Sequence, residues 1–349
     1  IWGLIQLLVN QGSILLYAIG LRFWLLYLWF AYAAAVSMTE TDFGFIAKVL
    51  LKTLLVIAPL VVVQFFSPPG AFINKQLDGD VASIFRVAGD IVRTTGTFTF
   101  TAGQSIYLGL LGPIVLATIS SASKLTTVKK LSIVIIASYF VAVMLSGSRT
   151  ALATAIIQFV CFIVFDFLYV KKQNKKSNKF LIFGTIVLLS VLPYLLSTAV
   201  DATRERIDTA NISENFADRV STTILGEVTL DNLPFLGYGL GAGTNYAGRL
   251  SGEEFQLGEV DSTRILMEGG VLGLAFIALK LAIAVFGLKK SFRASRMSAS
   301  SMPLLLWVTL PVALFMWQIN GQLTINALGY LLLGLGIASL RLNTVNRLS

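Results

Sequence analysis

Runs of apolar residues, about 17 to 25 long and nearly free of charge, recur along the chain, and that is the length a helix needs to cross roughly 30 Å of hydrocarbon. They fall near 1–20, 23–38, 49–66, 101–120, 131–146, 150–169, 180–199, 263–287, 303–319 and 322–340. The predicted fold class is therefore all-α. It is a polytopic integral membrane helix bundle of about ten spans, one membrane domain over 1–349 with a first substantial loop at 67–100 and a large loop at 200–262 that holds short helices. Only 13% of the residues are charged, against roughly a quarter in soluble domains, so a soluble fold could not hide this much apolar surface. The chain opens on Ile1 inside an apolar run with no basic segment before it, which is not the pattern of a signal peptide. Earlier spans are expected ahead of it.

Three short loops are strongly basic: Lys124, Lys129 and Lys130; Lys171, Lys172, Lys175, Lys176 and Lys179; Lys289, Lys290, Arg293 and Arg296. By the positive-inside rule all three are cytoplasmic, and two spans separate each from the next, so the assignment is self-consistent. The tail with Arg341 and Arg347 falls on the same side. The outer face then receives both long loops and tight turns around Arg22, Ser146 to Thr150 and Asn320. Of the 14 lysines only Lys75 is placed outside, whereas 9 of the 13 arginines are: Arg22, Arg86, Arg93, Arg149, Arg204, Arg206, Arg219, Arg249 and Arg264. Lysine sets the topology. Arginine offers a planar fork that matches phosphate oxygens in pairs, so its concentration outside points to an oxyanion ligand there. The plainer alternative is that these arginines pair with the 14 outer acids. The net charge of +9 is mostly cytoplasmic lysine facing anionic lipid, and no nucleic acid is needed to explain it.

Histidine is absent, which removes imidazole catalysis and imidazole metal ligation, and the one cysteine, Cys161, lies in an apolar run, so no disulfide or thiolate cluster can form within the chain.

Four stretches can carry chemistry. In the first outer loop Arg86 and Arg93 each precede a glycine by ten positions, Gly96 and Gly103, and Arg93-Thr94-Thr95-Gly96-Thr97-Phe98 leads into a span. Such a segment can present side-chain and backbone donors together to an oxyanion, or be no more than a solvated turn. The turn Ser146-Gly147-Ser148-Arg149-Thr150 is so short that Arg149 must sit at the outer membrane boundary, where it either snorkels to headgroups or binds an anion. Residues 201–225 read as an amphipathic helix with Phe216, Val220 and Ile224 on one face and Arg219 beside them. Beyond it Gly237-Tyr238-Gly239-Leu240-Gly241-Ala242-Gly243 cannot stay helical and lets backbone approach a ligand closely; without a following GKS or GKT it is not a nucleotide loop. Finally Glu259-Val260-Asp261-Ser262-Thr263-Arg264 leads into the helix of Glu268 to Gly273. Arg264 and Glu268, four apart, can pair with each other, while Glu259 and Asp261 are expected to be freer to act on a substrate, and Lys280 to snorkel to the cytoplasm.

In their order and sidedness these features resemble the bacterial O-antigen polymerase and O-antigen ligase family, multi-span glycosyltransferases of the inner membrane. The likeness covers most of the chain. It is carried by Arg93 to Phe98, by Gly147-Ser148-Arg149, by Arg219 ahead of Pro234-Phe235-Leu236-Gly237-Tyr238-Gly239-Leu240-Gly241, and by Glu268 to Gly273. The ligase branch has a histidine about where Glu259 stands here, so the polymerase branch is favoured. The resemblance implies undecaprenyl-diphosphate-linked oligosaccharide as substrate, a site facing away from the cytoplasm, and a chain-length regulator and flippase of the same pathway as partners. The charge of a diphosphate leaving group would be stabilised by Arg149, Arg219 and Arg264, with Arg86, Arg93, Arg204 and Arg206 as further diphosphate ligands. Glu259 would be the general base, Asp261 its substitute. No cofactor and no metal are expected: the outer carboxylates form no DxD-type cluster, and arginine can neutralise a diphosphate. Transfer to another acceptor, transport of a lipid-linked oligosaccharide, and a non-catalytic scaffold are the competing readings.

Overall fold

The computed structural model describes residues 1–9, 13–75, 84–87, 89–119, 131–170, 179–213, 216–226, 233–244, 247, 260–298, 300–317 and 323–345. Among these, regular structure is helical apart from one isolated antiparallel bridge between Arg86 and Val92. The helices are α1 (Trp2–Val9), α2 (Ile14–Ser37), α3 (Glu40–Phe66), α4 (Thr101–Ile119), α5 (Ser132–Leu145), α6 (Arg149–Phe165), α7 (Lys179–Leu195), α8 (Ser197–Ser213), α9 (Phe216–Leu225), α10 (Asp261–Gly269), α11 (Val271–Ser298), α12 (Met302–Met316) and α13 (Leu323–Val345). The basic residues Lys124, Lys129, Lys130, Lys171, Lys172, Lys175, Lys176 and Arg347, and the turn at Asn320, lie outside the described residues.

Among the described residues six helices are long and apolar enough to cross a bilayer, Ile14–Ser37, Glu40–Phe66, Thr101–Ile119, Arg149–Tyr169, Val271–Ser298 and Thr324–Leu342, and a seventh span results if the bent pair Ile182–Leu195 and Ser197–Thr209 counts as one. The protein is thus a helical membrane protein. The ten expected runs do not become ten such helices, for three reasons. The runs at 1–20 and 23–38 share one helix: α1 has 8 residues, and α2 continues without a turn through Arg22, which begins a π-helical segment, Arg22–Leu26. The runs at 131–146 and 303–319 become helices of 14 and 15 residues. The run at 180–199 breaks at Leu196, just after Pro193 has withdrawn a donor from the ladder, and the axis turns by 81° into α8.

The helices pack as two compact units. The larger comprises 38–213, 290–309 and 338–349. At its centre is α4, buried along nearly its whole length, as an all-round apolar helix must be, and packed against α5 and α6. Gly112 of α4 lets this happen: a Cβ there would stand 1.8 Å from Gln158 Oε1. The Gln158 amide donates to the Gly109 carbonyl (2.8 Å) and Thr309 Oγ1 (2.7 Å) and accepts from Tyr139 OH (3.2 Å), a polar cluster that ties helices together where water is absent. The smaller unit comprises 1–37, 214–289 and 310–337. In it α11 does not start at 263, as expected: Gly270, at φ +56 with the Phe235 and Pro234 carbonyls 2.4 Å from where a Cβ would sit, separates α10 from α11.

Candidate functional site

In the larger unit the loop between α3 and α4 is fastened on both sides of Arg93. Residues 85–87 pair with 91–93 through Val87 N to Ile91 O and Arg93 N to Phe85 O, both 2.8 Å. Thr94 Oγ1 donates to the Leu145 carbonyl at 3.2 Å, and the Gln64 side chain at the end of α3 brackets the Gly96 peptide, accepting from its N–H at 2.8 Å and donating to its carbonyl at 3.1 Å. Gly96 is at φ +59, so the loop turns at a residue without a Cβ penalty.

Against this loop lies the turn that precedes α6. Gly147 also has φ +59, and a Cβ on it would meet Val87 Cγ2 at 2.3 Å. Ser148 caps α6 by accepting from Ala151 N at 3.3 Å, which makes Arg149 the first helical residue. From α8, whose buried Ala199, Ala202 and Thr203 form its inner face, Arg206 Nη1 donates to the Gly147 carbonyl at 2.7 Å. Three segments far apart in sequence thereby bring Arg93, Arg149 and Arg206 together.

The electrostatics of this cluster are one-sided. Arg93 is held down to about 10, first by burial and then by the charges of Arg206 and Arg149. Its Nε is buried with no hydrogen-bond partner. No ion pair joins Arg93 or Arg149 to a carboxylate among the described residues. Arg149 also stands at the positive end of a helix dipole, where a cation is disfavoured. Arg93 thus carries its charge against the repulsion of two neighbouring guanidinium groups, an arrangement that can accept an anion with several oxygens.

The other arginines expected to bind diphosphate fall elsewhere. Arg86 pairs with Asp90 at 3.3 Å in an exposed i, i+4 contact, the plainer of the two alternatives for these arginines, and Arg204 is exposed on α8. Arg219 lies on α9, and its side chain, like Glu259 and Arg249, lies outside the described residues.

In the smaller unit the pairing of Arg264 with Glu268 is present at 3.5 Å between Nε and Oε1. Glu268, fully buried, also accepts from Trp24 Nε1 at 2.7 Å and from Gly243 N at 3.1 Å. Two expectations are corrected. Asp261 is not a carboxylate freer to act on a substrate: it is buried, and its Oδ2 lies 3.1 Å from Lys280 Nζ. Lys280 consequently does not snorkel, and its Nζ also lies 5.0 Å from the Phe315 ring centroid. The glycine-rich stretch is likewise packed against the chain itself. Added Cβ atoms would meet the Glu268 carbonyl at Gly237, the Leu16 carbonyl at Gly241 and the Arg264 side chain at Gly243, at 2.4, 2.3 and 2.2 Å. Sequence reasoning missed Gln6 and Trp24, which hold this stretch to α10: Gln6 donates to the Leu236 carbonyl and, at 2.7 Å, to the Glu268 carbonyl. Both residues lie in apolar runs that looked like plain span.

No group of three or more potential metal ligands among Cys, Asp and Glu is present among the described residues. Compared with protein-family models, with curated proteins and with solved structures, the chain matches none.

Proposed function

We propose that the chain is a glycosyltransferase that polymerises undecaprenyl-diphosphate-linked oligosaccharide repeat units at the outer face of the bacterial inner membrane. One observation carries the reading: Arg93, Arg149 and Arg206 are drawn together, with Arg93 half-buried and lowered to about 10, and with no carboxylate paired to Arg93 or Arg149 among the described residues. In the proposed reaction a hydroxyl oxygen of the incoming repeat unit bonds to the anomeric carbon of the growing chain. The bond from that carbon to the diphosphate oxygen breaks, its electron pair leaves on undecaprenyl diphosphate, and the hydroxyl proton passes to a base. The leaving group is already a weak base, so charge stabilisation by fixed guanidinium groups matters more than a strong acid. Glu259 is proposed as the base from its position in the sequence. Asp261 is withdrawn from that role because of its pairing with Lys280. Arg219 is proposed as a further ligand of the diphosphate.

The test is turnover by purified protein of a lipid-diphosphate-linked oligosaccharide, followed by polymer length and by release of free lipid diphosphate. Wild type is expected to release both products, and Arg93→Gln, Arg149→Gln and Arg206→Gln each to slow release tenfold or more. Movement of the substrate across a vesicle membrane without release would make the protein a transporter and overturn the proposal.

A further inference from the structure

The smaller unit holds an arginine within a membrane-spanning helix that the proposed reaction does not use. Arg22 stands eight residues into Ile14–Ser37, about 12 Å along the axis at the usual rise per residue. An ionisable group at such depth is costly unless it has a partner or a function. Arg22 opens the π-helical segment Arg22–Leu26. The wider turn of a π segment fans successive side chains over a smaller arc than an α turn, and segments of this kind are frequent at functional sites. Here it keeps Phe23 and Trp24 both buried beside Arg22.

Among the described residues the buried carboxylates of this unit are both engaged, Asp261 with Lys280 at 3.1 Å and Glu268 with Arg264 at 3.5 Å. Glu268 has in addition taken the Trp24 and Gly243 donors. Arg22 stands in no ion pair among the described residues, and its Nε is buried with no hydrogen-bond partner. Its guanidinium carbon is 4.7 Å from the centroid of the Phe23 ring, and that of Arg264 is 5.3 Å from the same centroid, so both guanidinium groups lie against one ring and at most about 10 Å apart. Arg22 itself is only half-buried, and Leu15, Leu25 and Leu26 of the same helix are exposed, an apolar flank suited to an acyl chain.

We propose that Arg22 and Arg264 hold the phosphate group of a lipid whose chain lies along this helix. The ligand chemistry is a phosphate ester or diphosphate carried on an apolar tail. It is recognised by an arginine that stands in no ion pair among the described residues and by a second arginine against the same aromatic ring. The site stands whether or not the chain is a glycosyltransferase.

Native mass spectrometry of the whole chain in a neutral detergent tests it, with phosphatidylglycerol, undecaprenyl diphosphate and the phosphate-free lipid diacylglycerol as probes. Wild type is expected to bind at least one of the two phosphate lipids, Arg22→Gln to bind it at least tenfold more weakly, and diacylglycerol to bind neither protein specifically. Arg22→Lys keeps the charge, and with it the fold, but loses the paired donors; a loss of threefold or more is expected. Preference for phosphatidylglycerol would identify the ligand as a bilayer headgroup, preference for undecaprenyl diphosphate as a lipid-linked substrate, and both outcomes support the site. Wild-type affinity in both Arg22 variants, or equal binding of diacylglycerol, would overturn the proposal.

Discussion

The Arg206 guanidinium donates to the Gly147 carbonyl at 2.7 Å, so α8 clasps the turn that starts α6. The same turn presses on Val87, in the loop between α3 and α4, through a glycine at φ +59. The position of Arg149 therefore depends on a residue that has no side chain at all.

Gly147→Ala is expected to destabilise the protein by about 2 kcal/mol or more, since a non-glycine residue in the left-handed region costs roughly 1–2 kcal/mol and the new methyl group also meets Val87. Adding Val87→Ala removes the steric part and leaves the backbone part, so the double variant should be the more stable of the two. Thermal unfolding in detergent measures both. Equal melting of the single and double variants would show that the turn does not rest on Val87.

Arg149→Gln should separate stability from function. The arginine at the first position of α6 faces the helix dipole with the wrong sign, so its neutralisation is expected to stabilise the ligand-free protein by roughly 0.3–1 kcal/mol while weakening the binding of a lipid diphosphate. The readout is the melting temperature with and without undecaprenyl diphosphate. The variant should melt higher without it and gain less from its addition.

The pH dependence of Arg93 has a definite sign. Its folded value is about 10, below the ordinary range of a guanidinium, so between the two the unfolded chain holds a proton that the folded chain has released. Stability contributed by this group therefore rises with pH across that window, and the full penalty of the charged form is present below about 10. Arg93→Gln removes the penalty. The variant should thus exceed wild type in melting temperature at pH 8, and the difference should shrink as the pH passes 10. A difference that stays constant with pH would mean that Arg93 is not held down in the folded protein.

How much of this was legible in the sequence follows from the range over which each signal acts. Hydropathy is local, so the runs at 101–120 and 150–169 return as Thr101–Ile119 and Arg149–Tyr169 within a residue or so. The concentration of arginine in two long loops is a count and needs no geometry, yet which arginines meet depends on the 81° bend after Leu195, whose angle hydropathy does not encode. Arg22 read as a turn because a lone charge between apolar runs usually marks one; a π segment accommodates it inside a single helix instead. Asp261 and Lys280 were misplaced for a related reason. Nineteen positions along one straight helix are about 28 Å, whereas these two atoms are 3.1 Å apart because the chain turns at Gly270.

That pair also gives the sharpest separation of structure from chemistry. Lys280→Met alone leaves a buried carboxylate without its counterion, a change that typically costs 3–5 kcal/mol, and Asp261→Asn alone strands the ammonium with a similar result. Making both changes removes both charges, so the double variant should recover most of the stability lost by either one. If Asp261 is structural, turnover recovers along with stability in the double variant. If Asp261 were the general base, its loss would abolish turnover whatever stands at position 280. Melting temperature and product release, measured on the two single variants and the double, decide between these outcomes. Recovered stability without recovered turnover would return Asp261 to the chemistry.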